Sequence, residues 1–222
     1  MRNKSILSLT AAQLKWIACI FMLVDHIGVL LFPQNILLRG IGRLAFPIFA
    51  FMTANACYHS RNIGLYLLRL LIFALCYQPV YQLCMGNHIN IFATLFLGAS
   101  GIYVYQVLLK RFSSRILAIL PSFVLLALAE LLPIDYGAYG VALILAAYLF
   151  FQQPSGLILS WLLLTGLYVY THWPMWIQAY CLLSIPLLFM YNQQKGRGNK
   201  WSFYIFYCLH IPALYLIGKY LL

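Results

Sequence analysis

Acidic residues are almost missing from this chain. Asp25, Glu130 and Asp135 are the only three in 222 residues, against fourteen lysines and arginines. Charged residues make up 8% of the sequence, where a soluble domain carries about 25%. So little polar surface cannot cover a globule in water, and lipid becomes the expected solvent. The net charge of +11 does not point to nucleic acid. The basic residues punctuate hydrophobic runs instead of interleaving with exposed aromatics, so no nucleic-acid partner is expected. Metal-binding spacing is also lacking. Six cysteines, at 19, 57, 76, 84, 181 and 208, form no C-x-x-C and no zinc pattern, so no metal is expected and they read as small buried hydrophobes. There is no long linker, low-complexity tail or clear internal repeat, which makes residues 1–222 a single integral membrane domain. The first apolar run lacks a small-residue cleavage site and is expected to be a retained helix.

What the chain has in abundance is apolar sequence, 64% of its residues. A spanning helix needs about 20 mostly apolar residues. Nine runs approach that, near 14–32, 38–58, 65–84, 90–109, 116–132, 138–152, 156–171, 175–191 and 202–222, the sixth and seventh being short. The fold class is therefore all-α, a polytopic transmembrane bundle of about nine spans. With the N-terminus cytoplasmic, eleven of the fourteen basic residues fall inside, among them Arg2, Lys4, Lys15, Lys195, Arg197 and Lys200. Only Arg39, Arg43 and Lys219 fall outside, an asymmetry that agrees with the positive-inside rule and leaves the two arginines as its exceptions.

Two ionisable residues interrupt the first run, in LKWIACIFMLVDHIGVLLF: Asp25 and His26. Intramembrane ionisable residues pair with one another, face a polar interior or serve a pathway. Arg39 and Arg43 are four apart and share a helix face. The turn near Pro33 puts Asp25 and Arg43 at similar depths on consecutive helices, at about 1.5 Å rise per residue, so an Asp25–Arg43 ion pair is expected. Neighbouring helical residues point about 100° apart. Asp25 is therefore badly placed to orient His26, whose partner should come from another helix. If Asp25 acts on a histidine, His210 is the better placed.

His210 lies in the last run, in FYIFYCLHIPALYL, with Tyr207 on its face. Asn90 opens the fourth run, and Asp135 sits in IDYGAYG. Each has a plain structural reading. Asp25–Arg43 is a helix–helix ion pair, the histidines are interhelical glue, Asn90 is a helix cap and Asp135 belongs to a turn. Two histidines and a carboxylate also suit a metal, but no local ligand motif accompanies them.

Taken in order, LKWIACIFMLVDHIG, LRGIGRLAFPIFAFM, NIFATLFLG, DYGAYGVALIL and FYIFYCLHIPAL resemble the TraX family of integral membrane proteins. That resemblance implies a bacterial inner-membrane protein related to N-acetylation of an F-type pilin subunit. It extends distantly to membrane acyltransferases that O-acetylate sugars. It points to Asp25, His26, Arg43 and His210 as catalytic, with Arg39, Asn90, Asp135 and Tyr207 toward the substrate. Acetyl-CoA is then the expected co-substrate, and a pilin or glycan amine or hydroxyl the acceptor. Arg61, Arg69, Lys110 and Arg111 would meet the donor's anionic end, although they serve equally as ordinary positive-inside residues. His26 would be the general base, with an unperturbed pKa of about 6.5. Arg43, Tyr207 or His210 would donate to the oxyanion. A non-catalytic factor for pilus or envelope assembly, or a small transporter, is the rival. Pro47, Pro79 and Pro186 interrupt runs, but no matching halves of the transporter kind are present.

Overall fold

In the computed structural model, which describes residues 8–220, every long element is helical. The order is α1 Ala11–Leu30, α2 Ile36–Gly42, α3 Ala45–His59, α4 Ile63–Met85, α5 Ile91–Phe112, α6 Arg115–Leu131, α7 Gly137–Leu149 and α8 Pro154–Thr171. A 3-10 helix, Trp176–Ser184, follows, then α9 Ile185–Phe189 and α10 Lys200–Tyr220. Among the described residues no strand forms, and two isolated bridges join Leu9 to Tyr191 and Ile89 to Ile134. All nine apolar runs are helical. Arg2 and Lys4, placed inside by the sequence, lie outside the described residues.

The helix boundaries follow local chemistry. Thr10 and Gln13 build a reciprocal capping box at the start of α1, with Thr10 N–H donating to Gln13 Oε1 at 2.8 Å. Asn35, Asn62, Asn90 and Ser114 cap α2, α4, α5 and α6 through side-chain oxygens. The second apolar run contains a break. Arg43 and Leu44 form a turn between α2 and α3. Pro47 has no N–H to offer the Arg43 carbonyl four residues back, so the helical ladder cannot continue there. Pro79 behaves differently from expectation, since α4 runs through it unbroken. In the eighth run, Pro186 cannot donate to Leu182. The Leu182 carbonyl instead accepts from Ile185 N–H, the tighter bond of a 3-10 turn.

Two compact units are present. The first comprises the chain through Met52 and from Val169 onward, and the second runs from Thr53 to Tyr168. In the first, α1 packs on α2, on α10 and, through α2, near the 3-10 helix. In the second, α4, α5, α6 and α7 pack in sequence, with α5 also against α7. Trp161 of α8 is fully buried and donates to the Leu143 carbonyl of α7 at 3.2 Å.

Six stretches are long and apolar enough to cross a bilayer: Ala11–Leu30, Ile36–His59, Ile63–Met85, Ile91–Phe112, Pro154–Thr171 and Trp201–Tyr220. Gly137–Leu149 and Trp176–Phe189 are shorter. Direction adds a constraint. Trp16 meets Phe203 with ring centroids 5.0 Å apart, His26 meets His210, and Leu31 lies beside Gly218. Thus α1 and α10 run parallel.

Backbone bonds from Ala11 to Gln194 at 2.8 Å and from Ala12 to Lys195 at 3.1 Å tie the 190–199 loop to the start of α1. Lys15, Lys195 and Arg197 therefore gather at one end of this unit, in agreement with their assignment to one side. Single cysteines placed at Gln193 and at Gln34, in a background without the native six, are expected to react with an impermeant maleimide from opposite faces of the membrane. Labelling of both from one face would show that α1 does not cross.

Candidate functional site

The first unit brings Asp25, Arg39, Arg43, His26 and His210 together. Asp25, on α1, faces α2. Arg43 Nη2 donates to both carboxylate oxygens at 2.9 Å, and Arg39 Nη1 lies 2.8 Å from Oδ1. The Asp25 and Arg43 side chains are 13% and 12% exposed, so the pair is largely withdrawn from the surroundings. One carboxylate faces two guanidiniums, and the cluster keeps a net positive charge. Arg43 reaches further, donating through Nη1 to Gln178 Oε1 of the 3-10 helix at 3.3 Å.

Such proximity depends on glycine. A Cβ on Gly42 would fall onto the Cβ and carboxylate of Asp25. One on Gly28 would stand 3.0 Å from Leu38 Cβ and 3.3 Å from the Arg39 side chain. Helices α1 and α2 approach closely because no side chain intervenes at these two points, and the carboxylate then sits within reach of both arginines.

One residue along α1, His26 turns to α10. Its Nδ1 lies 2.8 Å from the Met22 carbonyl. A carbonyl only accepts, so Nδ1 carries the hydrogen and donates it. His210 repeats the arrangement, with Nδ1 3.0 Å from the Phe206 carbonyl and 2.8 Å from that of Tyr207. In each neutral ring the lone pair is therefore on Nε2. His210 Nε2 sits 3.2 Å from His26 Nδ1 and accepts a second branch of that N–H. The ring centroids are 4.9 Å apart, and Arg39 and Arg43 lie within electrostatic range of His26. Tyr207 is buried and stands edge-on to His210, centroids 5.6 Å apart.

His26 thus finds its partner on another helix, as expected, but the partner is His210. Asp25 binds arginines. His210, expected among the oxyanion donors, presents an accepting nitrogen toward His26. Arg39, assigned to substrate, shares the Asp25 carboxylate. Gln178, Gly42 and the Met22 carbonyl were missed. A lone amide in the apolar run MWIQAYCLL meets the same criterion that singled out Asp25, so Gln178 was findable; the carbonyl was not.

Asn90 and Asp135 belong to the second unit and make a different cluster there. Asn90 is fully buried at the start of α5. Its Oδ1 accepts from Phe92 N–H at 3.1 Å, and its Nδ2 donates to the Ala74 carbonyl and Gln78 Oε1, each at 2.8 Å. The amide caps its own helix and ties it to α4, using both its oxygen and its nitrogen. Tyr81 donates to Asp135 Oδ2 at 2.7 Å, and Thr94 donates to the Asp135 carbonyl at 2.5 Å. Asp135 N–H bonds the Ile89 carbonyl at 3.1 Å, which fixes this turn against the α5 cap. Both residues expected near substrate hold helix ends together. Arg61 lies in the turn just before α4, and Lys110 and Arg111 end the antiparallel α5, all three exposed at one end of this unit; Arg69 lies over Tyr66.

Cys19, Cys57 and Cys181 are buried as expected, whereas Cys76 is exposed, and all six are free thiols. Among the described residues no group of three or more His, Cys, Asp or Glu side chains is arranged to hold a metal ion.

Fold and site together define a polytopic helical membrane protein with a paired-histidine, paired-arginine cluster inside it. The family model described as TraX protein matches residues 10–218, and the chain belongs to the TraX family. It is 28% identical to a probable fimbrial assembly protein, FimC, of Dichelobacter nodosus, over 92% of this chain and 94% of that protein. It is 26% identical to an uncharacterised protein of Rickettsia prowazekii, over 65% of this chain and 57% of that one. No solved structure matches it significantly.

Two substitutions test this architecture. Gly42→Ala is expected to lower stability by about 1–3 kcal/mol through overpacking against Asp25. Gly166→Ala, in α8 where no atom lies within 4 Å of the added Cβ, is expected to be neutral or slightly stabilising. Thermal unfolding in detergent compares them. Asn90→Ala is expected to cost about 1–3 kcal/mol, from a lost cap and stranded partners. It should leave any activity of the refolded protein unchanged, measured on samples matched for folded fraction.

Proposed function

We propose that this protein is a membrane-embedded acyltransferase of the cytoplasmic membrane, moving an acetyl group from acetyl-CoA to an acceptor amine or hydroxyl. The observation that carries this reading is the histidine pair. Carbonyl acceptors hold both Nδ1 atoms protonated, so His26 keeps an unprotonated Nε2. The amine or hydroxyl of the acceptor attacks the thioester carbonyl carbon while His26 Nε2 takes its proton. Arg43 stabilises the resulting oxyanion, with the Tyr207 hydroxyl as a further donor. The C–S bond then breaks, His26 returns the proton to the sulfur, and free CoA leaves. His210 Nε2 accepts from His26 Nδ1 throughout, which favours the imidazolium form at the moment it develops. Asp25 holds Arg43 and Arg39 in place.

The acceptor class is a pilin N-terminus or a surface glycan. A second reading, a non-catalytic assembly factor, draws on the name of the Dichelobacter relative; in it the same cluster fastens α1, α2 and α10.

Binding and CoA release by the purified protein in detergent separate the two. His26→Ala is expected to lower CoA release by about 10²–10⁴-fold while acetyl-CoA still binds and the protein stays folded. Wild-type protein that binds no acetyl-CoA, or a His26→Ala variant of undiminished rate, would favour the assembly factor.

A further inference from the structure

Gln178 does something in the cluster that packing does not explain. Its side chain sits on the 3-10 helix and is 2% exposed. The oxygen accepts from Arg43 Nη1 at 3.3 Å. Among the described residues, its Nε2 is a buried donor with no hydrogen-bond partner. The orientation of the amide is not free. A guanidinium carries donors only, so the oxygen must face Arg43. Turning the amide over would set two donors against each other. The NH₂ group is consequently fixed facing away from Arg43.

Native interiors rarely leave a buried donor unmade, and each exception calls for an explanation, a catalytic role among them. Here the missing partner must be an acceptor. A cation is disfavoured next to two guanidiniums that share one carboxylate. An oxygen that starts neutral and becomes negative suits a neutral N–H donor adjoining a cluster of net positive charge. We infer that Gln178 Nε2 donates a hydrogen bond to the carbonyl oxygen of the acyl thioester and that, beside Arg43, it forms the second donor to the oxyanion. This assignment rests on the acyltransferase reading and adds a catalytic residue to it. The 3-10 geometry of Trp176–Ser184 belongs to the same device, because it sets Gln178 against α2.

The probes are acetyl-CoA and S-ethyl-CoA, a thioether of nearly equal shape that has no carbonyl oxygen. The wild-type full-length chain in detergent is expected to bind acetyl-CoA about tenfold more tightly than the thioether. Gln178→Glu keeps an oxygen for Arg43 and removes the donor. It is expected to lose that preference and to lower kcat for CoA release by about 10²–10³-fold, with an unchanged thermal midpoint. Should Gln178→Glu fail to fold, Gln178→Leu removes the donor without adding charge, and the same two readouts apply. A merely structural glutamine would alter the midpoint and leave the discrimination intact. The assignment is overturned if either variant keeps wild-type kcat and preference while His26→Ala is inactive; the acyltransferase reading then stands and Nε2 binds only buried water. Wild-type protein that neither binds nor turns over acetyl-CoA overturns both.

Discussion

One carboxylate between two arginines organises the first unit. A lone aspartate at the centre of a spanning helix costs about 2.5–3.5 kcal/mol even on the mildest scales. Asp25 offsets that by accepting from Arg43 through both oxygens and lying against Arg39. The requirement then propagates. Two arginines must enter the membrane on one face of α2, which accounts for the two clear departures from the positive-inside pattern. Helix α2 must come close enough to deliver them, which calls for glycine at 28 and 42. Its ladder must end at Arg43, which Pro47 arranges. Removing Asp25 would leave the two guanidiniums without a counter-charge, and breaking a buried pair in this way typically costs about 3–5 kcal/mol.

The histidine pair is built on a separate principle. No carboxylate orients either ring. Main-chain carbonyls of the preceding helical turn do so, at Met22 for His26 and at Phe206 and Tyr207 for His210. A helix always offers carbonyls in that direction, so the tautomer is set by an element that needs no additional residue. The anionic and imidazole parts of the cluster therefore stand on the same stretch of α1 but face different neighbours, α2 and α10. Residues 25 and 26 can do so because adjacent helical positions diverge by about 100°.

Much of this was legible in the sequence. All nine apolar runs are helices, since hydrophobic length alone specifies helix in lipid. The Asp25–Arg43 pair followed from turn position and rise per residue. His26 and His210 were singled out for their depth, but their contact was not readable, because it joins segments with no local signal linking them. Asn90 and Asp135 drew attention as polar groups in apolar surroundings, and that criterion does not separate a group that meets a ligand from one that fastens helix ends. Gln178 shows the converse. Which end of its amide is occupied is a property of tertiary geometry alone.

The His26–His210 contact spans 184 residues, from the first long helix to the last. A chain emerging from the ribosome inserts α1 well before α10 exists. Until α10 is made, His26 lacks its imidazole partner, and the histidine pair is absent from every nascent chain that stops short of it. A product cut off before α10 can insert, and can even form its Asp25–Arg43 bond, yet cannot assemble the histidine pair.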